Sequence, residues 1–368
     1  MLNYSSWIEI DLKQFKKNIE IIRSNINKSK LCLCVKANAY GHGIIEIARA
    51  AENQGVDYLA VANLLEGIKL RKDKIKLPIL VLGTFHEDQI PDLIDNDLEI
   101  TISSFFKAKM LKEYCSKKNK KCKVHLKIDT GMGRIGVKPK TAFLLYNYLL
   151  ENSCFSIKGI FSHFACADMK DHPMNLVQIN TFDNFLKKVK VDKTILCHMI
   201  NTAALCNFHN NLYDMVRLGG LPFGCYMHDM PKQFSDILPI FSVKSKVSYF
   251  KIVEKGQGIS YAHKFVTKKS TRVVTIPIGY GDGYSRALSN IGEVLIRGKR
   301  FPIIGLICMD QFMVNIDQDE AFIGDEVVLI GKQQNQEISV KEVAKLCNTI
   351  SFEVLSLFNE RLPRVYIN

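Results

Sequence analysis

No C-x-x-C pair occurs among the eleven cysteines of this 368-residue chain, which excludes a zinc knuckle and a thioredoxin-type redox motif. The cysteines, at 32, 34, 115, 122, 154, 166, 197, 206, 225, 308 and 347, are odd in number and scattered, so free thiols in a reducing compartment are expected. Neither H-x-H nor H-E-x-x-H is present, and no metal centre is expected. No window approaches ~18 uninterrupted apolar residues. The opening MLNYSSWIEIDLKQFKK offers no long apolar stretch and no small-residue cleavage site. A membrane span and secretion are therefore not expected, and a cytoplasmic location is. Acidic residues are in deficit, 37 against 50 basic ones, leaving a net charge of +13. Such a surplus draws anions and raises the question of nucleic acid. The densest basic run, SKKNKKCK at 116–123, lacks aromatics for base stacking and glycine for a flexible arm. It reads as solvated surface, and no nucleic-acid partner is expected.

What is present is globular: 47% hydrophobic and 24% charged residues, a composition too apolar for disorder. At ~150 residues per domain the length suggests two or three domains. Up to about residue 220, eight short runs rich in Val, Ile and Leu alternate with segments of helical period. The runs are LCLCV (31–35), YLAVA (58–62), ILVL (79–82), LEITI (98–102), VHLKI (124–128), IKGIFSH (157–163), ILCHM (195–199) and MVRLG (215–219). In GIIEIARAAENQG, Ile44, Ile47, Ala48 and Ala51 form one helical stripe that Gly55 ends. Eight strand–helix units in this length predict an N-terminal (β/α)8 TIM barrel over residues 1–235. From 236 to 368 strand-like runs punctuated by glycine turns predict a mainly-β second domain. Its one expected helix is SVKEVAKLC at 339–347, with Ser339 and Glu342 as a capping box. MHDMPKQFSDILP at 227–239 is the expected hinge.

In such a barrel, functional residues sit where strands end. Those ends supply Lys36, the stretch Lys127 to Arg134, His163, Asn201, Thr202 and Arg217. Cys32, Cys34 and Lys36 share one side of their strand, so Lys36 is expected to point inward. An inward lysine suits a Schiff-base role, because a partly desolvated ammonium loses its proton readily. The ordinary alternative is a lysine that snorkels to solvent. Gly41 and Gly43 in VKANAYGHG are expected to let backbone approach a ligand, with Tyr40 offering a hydroxyl to a phosphate.

VKANAYGHG resembles the pyridoxal-phosphate lysine motif of bacterial alanine racemases. HLKIDTGMGRIGV (125–137), SHFACAD (162–168), NTAA (201–204), MVRLGG (215–220), ISYA (259–262), IGYGDGY (278–284) and CMDQ (308–311) follow in that family's order and approximate spacing. The resemblance implies a racemase that interconverts L- and D-alanine and supplies D-alanine for peptidoglycan. Lys36 would hold pyridoxal 5'-phosphate and act as the base for the D-enantiomer. Tyr261 from a partner subunit would stand opposite as the base for the L-enantiomer, in a head-to-tail homodimer. Tyrosine is a poor base at neutral pH unless cations favour its phenolate, and His163 and Arg217 are the implied source. Arg217 would face the pyridine nitrogen. Guanidinium donates a hydrogen bond there without giving up its proton, which weakens the electron sink. Arg134 would take the cofactor's phenolic oxygen and the substrate carboxylate, and the backbone of Met309 that same carboxylate. Tyr40, Thr202, Gly219 and Gly220 would bind the phosphate, and His163 and Asn201 would also be cofactor-binding residues. Tyr280 and Asp310 would be supporting residues. Lys127 matches a lysine often carbamylated in the family; the alternative is an unmodified amine paired with Asp129. Two positions depart from the pattern. Leu306 replaces an arginine before I-C-M-D, and Phe352 replaces a tyrosine, which leaves substrate breadth and cofactor affinity open.

Other classes compete less well. GMGRIG (131–136) matches G-x-G-x-x-G, but no acidic residue stands at the next strand end, where a dinucleotide enzyme needs one. A metal-dependent hydrolase could use Lys127, His125, His163 and His198, yet the paired histidines of one strand are missing. A non-catalytic cofactor carrier would not need the second domain with Tyr261. A racemase of broader range, serine included, is the nearest alternative.

Overall fold

The computed structural model describes residues 4–208, 212–226 and 231–368. After β1 (Ser6–Asp11) come β2 (Lys30–Cys34), β3 (Tyr58–Val61), β4 (Ile79–Val81), β5 (Glu99–Ile102), β6 (Cys122–Lys127), β7 (Phe155–Phe161), β8 (Leu196–His198) and β9 (Met215–Leu218). The last eight pair in parallel in the order β8-β7-β6-β5-β4-β3-β2-β9. β8 and β9 meet across the remaining gap, where the Asp214 and Arg217 N–H groups donate to the Cys197 and Ile200 carbonyls at 2.9 and 2.8 Å. The result is a nearly closed barrel, built from the eight runs read in the sequence.

Strand alternation divides the barrel side chains between two environments. Outward residues join the large core shared with the helices. Helix Ile44–Asn53, for instance, buries Ile44, Ile47, Ala48 and Ala51. Inward residues form a small separate cluster of Cys32, Cys34, Tyr58, Ala60, Leu80 and Met215. Beside the Phe161 ring of β7, the interior also holds buried polar groups, with Glu99 and Thr101 on β5, His125 and Lys127 on β6, His198 on β8 and Arg217 on β9. Buried polar groups on this scale must find partners.

The second domain is a mixed sheet. From one edge it runs Tyr249–Val253, Thr271–Ile276, Phe312–Asp317, Lys299–Ile304, Glu293–Ile296, Glu326–Gln333, β10 (Phe241–Lys246), β1 and Arg364–Ile367. β1 pairs antiparallel with β10 and parallel with Arg364–Ile367. The chain's first strand thus lies outside the barrel although it falls within 1–235. The expected helix forms over Val340–Leu346, and Ser339 accepts from the Glu342 N–H at 3.0 Å. The box is only half made, because the Glu342 carboxylate is drawn away by Arg300, at 2.6 Å. A second helix, Ser351–Leu357, was not anticipated. Part of the expected hinge, residues 227–230, lies outside the described residues.

Candidate active site

A cavity of about 540 Å³ opens where the barrel strands end. It is lined by Lys36, Tyr40, Lys127, Arg134, His163, Asn201, Thr202, Arg217, Gly219 and Gly220, together with Phe161, Tyr226 and Phe352.

Lys36 stands one residue beyond the end of β2, after Val35, and is half-buried. The next four residues, Ala37 to Tyr40, form a left-handed turn with φ between 51° and 54°. For non-glycine residues that conformation costs roughly 1–2 kcal/mol each. The Glu66 carboxylate offsets the strain by accepting the N–H groups of Ala37 and Ala62, both at 2.7 Å. Asn38 adds its own acceptor for the Ile44 N–H at 2.9 Å. The turn presents Lys36 and Tyr40 to the same cavity. Gly41 and Gly43 do not approach it. A Cβ on Gly41 would meet the Leu355 carbonyl at 2.2 Å, and one on Gly43 the Tyr366 hydroxyl. They are small so that the second domain can pack closely, which corrects the ligand-approach reading.

At the far wall a Cβ on Gly219 would fall 2.4 Å from the Tyr40 hydroxyl, and one on Gly220 would meet the Cys225 carbonyl and the Phe352 ring. Backbone, phenol and hydroxyl therefore converge: the Gly219 N–H donates to Thr202 Oγ1 at 3.2 Å. Burial pushes the Tyr40 phenol pKa up, so it stays a neutral donor. The Asn201 side chain is spent as a cap on helix Thr202–Asn207, accepting from the Ala204 N–H at 2.9 Å. Phe352, on the unanticipated helix, packs on Tyr40 with ring centroids 5.6 Å apart.

Arg217 is buried, and donates to His198 Nδ1 at 2.8 Å and to the Ser162 carbonyl at 2.7 Å. Burial lowers its pKa from the ordinary 12.5, while the Cys34 and Cys32 thiols act in the opposite sense. His163, 3.4 Å from Arg217, was expected to share a cationic role. Burial, then Arg217, Lys127, Arg134 and Lys36, hold its pKa well below the ordinary 6.5. It is therefore neutral, and Arg217 is the cation of the pair.

Lys127 lies 4.2 Å over the Phe161 ring. Burial and the guanidiniums of Arg217 and Arg134 drive its pKa well below 10.5 against the opposing pull of Asp129. The expected alternative of a Lys127–Asp129 pair does not form. Asp129 accepts instead from the N–H groups of Gly131 and Gly133 at 3.1 and 3.0 Å and pairs with Lys138 at 2.9 Å. The same bonds dispose of the dinucleotide reading, since the glycine loop folds around its own carboxylate rather than a phosphate. The histidines of the hydrolase reading are likewise committed: His125 bonds Glu99 and His198, and His198 also bonds Arg217. Glu99 escaped the sequence reading. A carboxylate in the middle of the apolar run LEITI, on the same strand face as Thr101, is the signal that marks it.

Tyr261, Tyr280, Met309 and Asp310 stand apart from this cavity, on the surface of the second domain. Tyr261 is 69% exposed and Met309 53%. Their loops are tied together: Ser260 Oγ donates to the Leu306 carbonyl at 2.6 Å, and the Tyr280 and Gly281 N–H groups donate to the Cys308 and Met309 carbonyls at 3.2 and 2.9 Å. Arg361 bridges Asp310 at 2.6 Å and Asp282 at 3.2 Å.

The profile of the alanine racemase N-terminal domain matches residues 10–227, and that of the alanine racemase C-terminal domain matches residues 240–366. The chain belongs to the alanine racemase family. It is thus an isomerase that racemises amino acids. Alanine racemase 2 of Bacillus subtilis (strain 168) is 42% identical over 374 residues, covering 98% of this chain and 94% of that one. The solved alanine racemase of Clostridium difficile 630 superposes with a TM-score of 0.95 at 36% identity, over 100% of this chain and 97% of its own. A histidine racemase from Leuconostoc mesenteroides subsp. sake NBRC 102480 has the same architecture, with a TM-score of 0.92 at 25% identity over 100% and 99% of the two chains. Both halves of the alanine racemase architecture are therefore present in this chain.

Proposed function

We propose that this chain is a pyridoxal-phosphate-dependent alanine racemase whose active site is completed by a second copy, and that it supplies D-alanine for peptidoglycan in the cytoplasm. The observation that carries the reading is a single cavity in which the Lys36 amine, the buried Arg217 guanidinium and the Tyr40–Thr202–Gly219 cluster all converge.

These residues fit the cofactor by chemistry as well as by space. Arg217 would hold the ring nitrogen, Lys36 the aldehyde carbon, and Tyr40, Thr202 and the Gly219–Gly220 backbone the phosphate. When bound, the cofactor supplies a conjugated ring that acidifies the substrate's α C–H bond. Racemisation then needs one proton acceptor on each face of that carbon. Lys36 Nζ takes the proton as a free amine, or returns it as the ammonium, on the face used by D-alanine; the Tyr261 side chain of the partner would take it as the phenolate, or return it as the hydroxyl, on the L face. Arg134, exposed at the rim, holds the substrate carboxylate with the Met309 backbone of the partner. Lys127, with its amine favoured in the uncharged form, is primed to add carbon dioxide, giving a carbamate anion and a proton. That anion would orient Arg134.

Mixing inactive Lys36→Ala and Tyr261→Phe chains tests the reading, because each mixed dimer would contain one intact site. Partial recovery of activity is expected; no recovery after demonstrated subunit exchange overturns it. A second reading, a racemase of wider range, is favoured by Leu306, where the family carries an arginine. Comparable turnover of serine and alanine would decide for it.

A further inference from the structure

Four buried side chains cross the barrel interior as one hydrogen-bonded file. Glu99 Oε2 on β5 lies 2.6 Å from His125 Nε2 on β6, His125 Nδ1 lies 3.0 Å from His198 Nε2 on β8, and His198 Nδ1 lies 2.8 Å from Arg217 on β9. The two ends fix its polarity. Guanidinium can only donate, and a carboxylate can only accept. Arg217 therefore makes His198 Nδ1 an acceptor, which leaves the His198 proton on Nε2. That proton goes to His125 Nδ1, and the His125 Nε2–H goes to Glu99. One pair of neutral tautomers satisfies all three bonds.

The space for the file is also built. A Cβ on Gly159 of β7 would fall 2.4 Å from His125 Nδ1 and 2.9 Å from His198 Nε2. Gly159 is absent from the positive-φ residues, so the absent side chain there serves room rather than backbone freedom. Phe161 stacks on His198 with centroids 4.9 Å apart and planes at 5°, and the same ring underlies the Arg217 guanidinium at 5.1 Å.

We propose that Glu99 and His125 are positioning residues for Arg217, their file across the barrel holding His198 in the one tautomer that can accept from the guanidinium and so aim it into the cavity. The carboxylate also balances Arg217 at a distance of two imidazoles, leaving the guanidinium free of a direct carboxylate partner. Without the acceptor at Glu99, both histidine protons can shift to the opposite nitrogens. An N–H of His198 then faces an N–H of Arg217, and the guanidinium must move. The inference rests on the reading of Arg217 as the partner of the ring nitrogen.

The test uses the holoenzyme with 15N-labelled histidine. The wild type is expected to show His125 and His198 both protonated on Nε2. Glu99→Leu and Gly159→Ala are expected to populate the opposite tautomers, shift the visible absorption of the cofactor and weaken its binding by roughly tenfold to a hundredfold. Glu99→Gln, whose amide oxygen still accepts, should recover most of the affinity. Arg217→Lys is run alongside. If it leaves the spectrum and affinity unchanged, the reading of Arg217 itself fails. If it alters them while a folded Glu99→Leu or Gly159→Ala keeps wild-type tautomers and affinity, the positioning role alone is overturned. Should Glu99→Leu not fold, Gly159→Ala breaks the same file from β7.

Discussion

Asp129 is two residues from Lys127, yet it spends its charge on its own loop. Burial alone would raise its pKa. The Gly133 N–H, the Lys138 ammonium and the Gly131 N–H outweigh that and hold it at about 2. Its contribution to stability is thus complete above the ordinary carboxylate value near ~3.9 and is lost as pH falls through about 2. Lys138 is 71% exposed, so solvent screens that pair and the two backbone bonds carry most of the effect. Asp129→Ala should cost about 1–3 kcal/mol in urea unfolding at pH 7, with the gap from wild type closing below pH ~3. A gap that stays constant with pH would refute the carboxylate's part. The buried histidines act over a higher range. Burial lowers His42 to about 4, and burial with Arg217, His125 and Lys127 beside it takes His198 well below 6.5. The unfolded chain binds these protons first, so stability should fall as pH drops below ~6.5, by about 1.4 kcal/mol per pH unit for each group. Unfolding curves that coincide at pH 7 and pH 5 would contradict this.

The left-handed turn at Ala37–Tyr40 is held by its own Asn38 and, from outside the segment, by the distant Glu66 side chain. Removing the Glu66 carboxylate leaves the Ala37 and Ala62 N–H groups without their acceptor. Glu66→Ala should therefore lower stability by about 2 kcal/mol and loosen cofactor retention, read as a higher dissociation constant on dialysis. Unchanged retention would show that the turn keeps its shape without Glu66. Gly219→Ala probes the opposite wall. Its new Cβ would drive the Tyr40 hydroxyl out of place and should weaken cofactor binding more than it weakens folding. The contrast between these elements and the barrel strands explains what the sequence makes legible. Parallel strands covered on both faces read as apolar runs, and all eight barrel strands were visible that way. Asn38 is the one local residue that favours the left-handed region; Ala37 and Ala39 give no such sign, and the carboxylate of Glu66 that also holds the turn lies on another helix. The strand SWIEID at β1 was overlooked for a related reason: its partners are β10 and Arg364–Ile367, far along the chain. Helix Ser351–Leu357 is only seven residues long, too short for periodicity to declare itself.

At the scale of the whole molecule, the exposed Tyr261–Met309 surface does not line the cavity at the mouth of its own chain's barrel. The second-domain loops are internally braced, by Ser260 to Leu306 and by Arg361 between Asp282 and Asp310, so they present a preformed surface rather than a loose one. Large exposed apolar side chains also sit in the first turns of helices that leave the strand-end side of the barrel: Leu65 after β3, Phe106 after β5 and Leu176 after β7. Covering such side chains is favourable at roughly 25 cal/mol per Å² of apolar area. If a second copy covers them and brings its Tyr261, activity per chain must depend on protein concentration. Dilution should lower specific activity in step with the dimer fraction measured by sedimentation, and Arg361→Ala should move both curves to higher concentration together. A monomer that retains full specific activity would mean that Tyr261 of the same chain, or another group altogether, serves the L face.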